Sequence, residues 1–374
     1  MTDGSGDAWP LGSWKSAPPR QCVDEETGVA YEVLTGGVGN NTHVYFNRAN
    51  FTADGKTLIV RSDRTGSWQI YAYDLVAQRL RRLTEAALDP GRPSIDPCRP
   101  VLYYTQGDAV HRLDIDSLEE TVVYRHPTPE NGTFLLMDIS GDGQYLGFME
   151  IGPYDKAEDG PSDFVRRFEA RPWTRFWVAT ADGARVWQVH EEKRHLQHLL
   201  FCPTDPTTLM YCHEGPWDRV DQRLWLMRWD GSDIRPLRYQ ETPDLAIGHE
   251  YWCADGRHVD YVRRCAGEPT AVCRVDTRTD AESILTRHGF CHFISNCDGD
   301  HIVGDDEQHV ALFDVRADRL TPLVRHNQAL TIANTLYHPH PAFSPDGTRV
   351  VFCRRDEDGH NDVCLIDVEK EIAS

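Results

Sequence analysis

The chain has 374 residues, enough for two or three ordinary domains or one large repetitive one. Its uninterrupted apolar stretches run only a few residues, far short of the roughly 20 that a membrane-spanning helix needs. Fifty-nine acidic against 39 basic residues give a net charge of −20; such a surface repels nucleic acid and anionic membranes, and an anionic ligand must be met by a local cluster of cations.

The N-terminal stretch carries Asp3, Asp7 and Lys15 around Trp9 and Trp14, without the basic start and apolar run of an export signal, so a cytoplasmic location is expected. Eleven cysteines from Cys22 to Cys364 include no Cys-x-x-Cys pair, so reduced thiols are expected in place of a disulfide framework or a zinc knuckle. Residues 30–35 then read as a single strand. After it comes the phrase Phe51-Thr52-Ala53-Asp54-Gly55, followed by the apolar run Leu58-Ile59-Val60, a strand ending in Asp at 69–74 and a further strand at 79–84. Copies of that turn phrase return at 95–99, 139–143, 201–205, 252–256, 295–299 and 343–347, making seven. Short strands at even spacing with turn residues between them are the signature of four-stranded propeller blades. The long fourth unit includes residues 154–173, rich in Asp, Glu and Arg, which read as a loop over one face. The last unit ends soon after Val368 and lacks its outer strand, which residues 30–35 can supply. The expectation is an all-β fold, a seven-bladed β-propeller spanning 1–374 as one domain, its N-terminal strand closing the last blade so that no open sheet edge remains there.

Aligning the repeats places Arg48, Arg92, Leu136, His198, His249, His292 and His340 at one position, three residues before the start of each turn phrase. Equivalent positions on innermost strands face the central channel at one depth, because side chains alternate along a strand and blades are related by rotation. Six of the seven are Arg or His, an anion-binding cup at the channel mouth. Arg48, Arg92 and His198, with His43 and His213, are candidate substrate-binding residues; a satisfied structural hydrogen bond is the alternative for each. His338 lies two residues before His340, hence on the same face of the same strand, and His292 comes from the adjacent blade. Together they offer three imidazoles to one metal, a donor set that suits Mn, Fe, Co, Ni, Cu or Zn. Pro339 and Pro341 fit an innermost strand, whose free edge tolerates a missing N–H.

Several segments carry a family resemblance: Thr42-His43-Val44-Tyr45-Phe46, Cys212-His213-Glu214-Gly215-Pro216 with Val220-Asp221-Gln222-Arg223-Leu224-Trp225, Gly248-His249-Glu250-Tyr251-Trp252, His292-Phe293-Ile294-Ser295-Asn296 and His338-Pro339-His340-Pro341. In these the chain resembles the oligogalacturonate lyases, intracellular pectin-degrading enzymes of polysaccharide lyase family 22 built on TolB-like propellers. The resemblance implies a manganese-type divalent ion on His292, His338 and His340, a catalytic histidine at His249 and an arginine at Arg223. The family places a glutamine three residues before the first His of His-Pro-His; here that position is Thr335, with Asn334 beside it. Asn334, Thr335 or water is then the fourth ligand. The substrate implied is an acidic oligosaccharide, oligogalacturonate or a related uronate oligomer.

Cleaving such a chain by β-elimination requires loss of the proton at C5, made acidic only if the adjacent carboxylate is neutralised by cations. A neutral histidine can take that proton at neutral pH. His249 is the expected base, since it stands beside the metal histidines in the register without belonging to their set, and Arg223 is expected to grip the substrate carboxylate with its planar fork, or else to form a surface ion pair with Asp221. A non-catalytic TolB-like propeller that binds a protein partner is the competing reading. A peptidase propeller is disfavoured, since no Gly-x-Ser-x-Gly elbow is present.

Overall fold

Short runs of alternating side chains bounded by Asp-Gly turns pair as antiparallel strands. The computed structural model, which describes residues 9–85, 91–130, 132–155, 162–242, 244–331 and 337–373, arranges them in seven sheets of four or five strands. From blade 1 to blade 7 the innermost strands are Asn41–His43, Ser94–Ile95, Thr133–Ile139, Leu196–Cys202, Leu245–Trp252, Phe293–Ser295 and Ala342–Phe343. The recurring turn phrase has a local cause. In blade 7 the Ser344 hydroxyl donates to Asp346 at 2.5 Å and the Gly347 N–H returns to the Ser344 carbonyl at 2.9 Å. Gly347 takes φ +73°, a left-handed conformation that costs glycine nothing and a larger side chain 1–2 kcal/mol or so. The Thr52 and Ser140 turns repeat the arrangement.

The last blade closes as the sequence led us to expect. Ala30–Val33 pairs antiparallel with Asn361–Asp367, placing Glu32 opposite Leu365 and Val33 opposite Cys364, and Arg20–Val23 adds a fifth strand outside it. Tyr31 and Val33 are buried with Phe352, Cys364 and Ile366. Burial of each such side chain contributes on the order of 1.5–3 kcal/mol, so the closure joins the two ends of the chain firmly. A second N-terminal strand, Trp14–Ser16, covers the outer edge of blade 1 by pairing with Arg79–Arg82; this was not expected. Arg79 stacks over Trp14 at 4.3 Å there.

Residues 154–173 correct the expectation of a loop, because they contain the helix Asp163–Ala170. Its N-terminus is capped by the Ser162 hydroxyl, which accepts from the Val165 N–H, and it ends at Arg171 in a left-handed conformation whose N–H bonds the Arg167 carbonyl. Residues 156–161 lie outside the described set. All eleven cysteines are free thiols, and among the described residues no helix is long and apolar enough to cross a membrane.

Candidate metal and acid–base site

The channel-facing position is produced by a break in strand regularity. The ladders of blades 4 and 5 shift register between Gln197 and Leu200 and between Gly248 and Tyr251. His198 and His249, at the same place in the two shifts, take φ +52° and +55°, and His340 of blade 7 takes φ +47°. A non-glycine residue in that region costs on the order of 1–3 kcal/mol, and β-bulges commonly re-aim side chains at functional sites. Blade 3 shifts between Leu136 and Asp138. There the charged group is Asp138, which accepts from the Phe201 N–H at 2.9 Å while Leu136 is buried.

Four imidazoles gather at one end of the channel. The ring of His292 lies 4.2 Å from that of His340, 5.1 Å from His338 and 4.4 Å from His249, centroid to centroid. Candidate ligand atoms of His292, His338 and His340 all fall within 4.8 Å of one another, and all three residues are buried. His338 and His340 precede the innermost strand of blade 7, so they do not share the face of a regular strand. They converge through the left-handed turn at His340, with the rings 5.5 Å apart.

The hydrogen bonds of this trio leave lone pairs turned inward. His292 Nδ1 lies 3.1 Å from both oxygens of Asp305, a fully buried carboxylate at the end of His301–Asp305 that also accepts from the backbone N–H groups of His292 and His340. A carboxylate holding the far nitrogen of an imidazole fixes its tautomer and presents the other nitrogen to a metal. His338 Nε2 donates to the Thr331 carbonyl at 3.0 Å. Its Nδ1, and Nε2 of His340, are buried and find no hydrogen-bond partner among the described residues. Such orphans are rare because each costs 1–3 kcal/mol or so, and one divalent ion would satisfy both. The charges agree: burial and the His292 charge push His338 down to about 4, and the same two causes hold His340 well below the usual histidine value. Burial opposes charge on His292 as well, but Asp305 overrides it and raises this histidine. The donor set therefore fits an ion. Thr335 and Asn334, the expected sources of a fourth ligand, lie outside the described residues.

His249 stands beside the trio. Its Nδ1 donates to the Cys291 carbonyl, leaving the Nε2 lone pair free, and Trp217 meets its ring edge-on at 5.1 Å. Burial, then the charges of His292 and Arg223, hold its pKa well below the ordinary value, so the ring stays neutral.

Arg223 corrects both expectations made for it. It is not a surface arginine paired with Asp221, which instead binds Arg194 at 3.0 Å. It is 1 % exposed, and all three of its nitrogens already donate to carboxylates: Nε to Glu250 at 2.8 Å, Nη1 to Glu214 at 2.7 Å, and Nη2 to both at 3.2 and 3.3 Å. The guanidinium is thus committed inside the protein and is not a free clamp for a ligand. For His43 and His213 the structure takes the alternative given for them, a satisfied structural hydrogen bond. His43 is buried, with Nδ1 on the Asn50 side chain at 2.8 Å and Nε2 facing the Pro339 carbonyl at 3.3 Å, so it braces the His338–His340 segment from behind. His213 ends the second strand of blade 4, its two nitrogens taken by Glu192 at 3.1 Å and Arg194 at 3.0 Å.

Arg48, Arg92 and His198 do share a cavity of 320 Å³ beside the trio, together with Tyr45 and Gln197. Arg92 stacks over Tyr45 at 4.5 Å, and Tyr45 in turn packs on His340 at 4.7 Å. Arg48 donates to the Ser94 hydroxyl at 3.3 Å; burial lowers its pKa to about 10, Asp138 offsetting part of that cost. The two guanidiniums are half-buried, and among the described residues neither bonds a carboxylate. Asp305, Glu214 and Glu250 are neighbours of the site to which sequence reasoning gave no role. Glu214 and Glu250 stood in the segments that carry the resemblance, whereas Asp305 had no signal.

The profile of one family, described as oligogalacturonate lyase, matches residues 20–372. An oligogalacturonate lyase of Dickeya dadantii is 28% identical over 340 residues, covering 84% of this chain and 87% of its own length. A solved oligogalacturonate lyase in complex with manganese is similar with a TM-score of 0.87 at 26% identity, over 97% of this chain and 100% of the other. One from Vibrio parahaemolyticus gives a TM-score of 0.84 at 25% identity, with the same coverage.

Proposed function

The chain belongs to the oligogalacturonate lyase family, and from that premise we propose that the channel cup binds the carboxylate of a uronate oligomer beside the His292, His338 and His340 trio and eliminates across C4–C5. The protein is a polysaccharide lyase, and the observation that carries the residue assignment is the pair of orphaned imidazole nitrogens facing His292. Manganese is the proposed ion, supported by the manganese complex of the similar structure. When bound, it supplies positive charge next to the uronate carboxylate, which acidifies the C5 proton.

The remaining steps belong to side chains. Arg92, stacked on Tyr45 within the field of His340, is placed to add a second cation to the carboxylate, and Arg48 extends the cup toward the next acidic sugar. His249 Nε2 takes the C5 proton, its Nδ1–H anchored on the Cys291 carbonyl so that the ring cannot turn. Arg223 acts without touching substrate. Its charge adds to the burial and the His292 charge that hold His249 neutral, and its fork holds Glu214 and Glu250 in place.

The test is direct. Incubated with oligogalacturonate, the protein is expected to release 4,5-unsaturated uronate, seen by its ultraviolet absorbance, with the signal abolished by a chelator and restored by Mn2+. New reducing ends without that absorbance would show hydrolysis and contradict the reading, as would turnover indifferent to the chelator.

A further inference from the structure

The elimination needs an acid as well as a base, because the oxygen expelled from C4 leaves as an unstable alkoxide unless it is protonated. Resting on the lyase reading above, we propose that His198 is that general acid, delivering its Nε2 proton to the departing oxygen. Three observations carry this. His198 occupies the same register in blade 4 that His249 occupies in blade 5, and both are turned to the channel by the same left-handed bulge, φ +52° and +55°. The two are also joined through the chain: His198 Nδ1 is 2.7 Å from the carboxylate of Glu250, the residue that follows His249. Finally, the side chain of His198 keeps 19 % exposure and opens into the 320 Å³ cavity with Arg48 and Arg92, so its ring reaches bound ligand.

The surroundings of the two rings differ in charge. Around His198, Glu214 and Glu250 bring two negative charges and Arg223 returns one, so a proton on this imidazole has a buried counter-ion. Around His249 the neighbouring charged groups are His292, Arg223 and Glu250. The cluster of His198, Cys212 and Glu214 also has the spacing of a metal site. It lacks the donors, since burial keeps the Cys212 thiol protonated and Glu214 is committed to Arg223.

The step balances. The C5–H bond breaks with its proton passing to His249 Nε2, and its electron pair becomes the C4=C5 double bond. The C4–O bond breaks with its pair on oxygen, which takes the Nε2 proton of His198. His198 is left neutral with Nδ1–H on Glu250, and exchange with water resets both rings.

A substrate whose C4 substituent leaves without a proton separates this role from a structural one. His198→Gln is expected to lower kcat on oligogalacturonate by on the order of 10²-fold, yet to eliminate fluoride from a 4-deoxy-4-fluoro galacturonide within about threefold of the unaltered enzyme. Metal content, measured on the same sample, stays unchanged. Equal losses on both substrates, or no loss on either, would overturn the assignment while leaving the lyase reading intact. Failure of the unaltered enzyme on both would instead sink that reading.

Discussion

Replacing His249 with alanine is expected to lower kcat on oligogalacturonate by at least 10²–10⁴-fold, the usual contribution of a positioned general base, while melting and metal content hold. The ring is dedicated to one task. Its Nδ1 is spent on the Cys291 carbonyl, Trp217 and Phe46 fix its plane, and burial with the charges of His292 and Arg223 keeps Nε2 unprotonated. It lies outside the group formed by His292, His338 and His340, which explains why metal should remain. Because the backbone here has φ +55°, His249→Asn is the better structural control, asparagine being the side chain most tolerant of that conformation. Retained turnover in either variant would remove His249 from the mechanism.

The second large effect concerns stability. Arg223→Ala strips the shared cation from Glu214 and Glu250, of which Glu250 is wholly buried. Breaking a buried pair in this way costs about 3–5 kcal/mol, visible as a lowered denaturant midpoint. The carboxylates show how much they depend on it. Burial would raise both, yet Arg223 brings Glu214 below and Glu250 well below the usual glutamate range. Lysine, a single point charge, cannot span two carboxylates as the fork does, so Arg223→Lys should recover only part of the loss. Neutralising the acids as well, in Arg223→Met with Glu214→Gln and Glu250→Gln, should recover most of the stability while activity stays low. An Arg223→Ala protein as stable as the parent would show that the guanidinium is solvated and that the buried network is wrong.

Much of this was legible in the chain. The blades were readable because each Asp-Gly turn needs a hydroxyl two residues before the Asp or a glycine after it, and so leaves a repeated phrase. The closing strand at 30–35 was readable because the last unit was one strand short. Rotational symmetry then turned a sequence register into a spatial one, which put His292 beside His340; His338 joins them through the left-handed turn at His340, not through the strand alternation that the sequence suggested. What stayed hidden depends on register within a blade and on contact between blades. Asp305 lies 13 residues from His292 and meets it across the inner hairpin of blade 6. Nothing in a single strand announces that Glu250 will reach His198 in the neighbouring blade. For His43 and His213 both a binding and a structural role stood open for a related reason: a histidine near the channel end of a strand looks the same whether it faces solvent or is already engaged by Asn50 or Glu192. The left-handed bulges, set by tertiary packing, have no sequence mark when the residue is histidine.

Anomalous diffraction from crystals of this protein soaked in Mn2+ tests the central claim most directly. The account predicts one peak in contact with His292 Nε2, His338 Nδ1 and His340 Nε2, facing away from Asp305 and next to the ring of His249. No peak among those three imidazoles, or one bound at His198 and Glu214 instead, would contradict it.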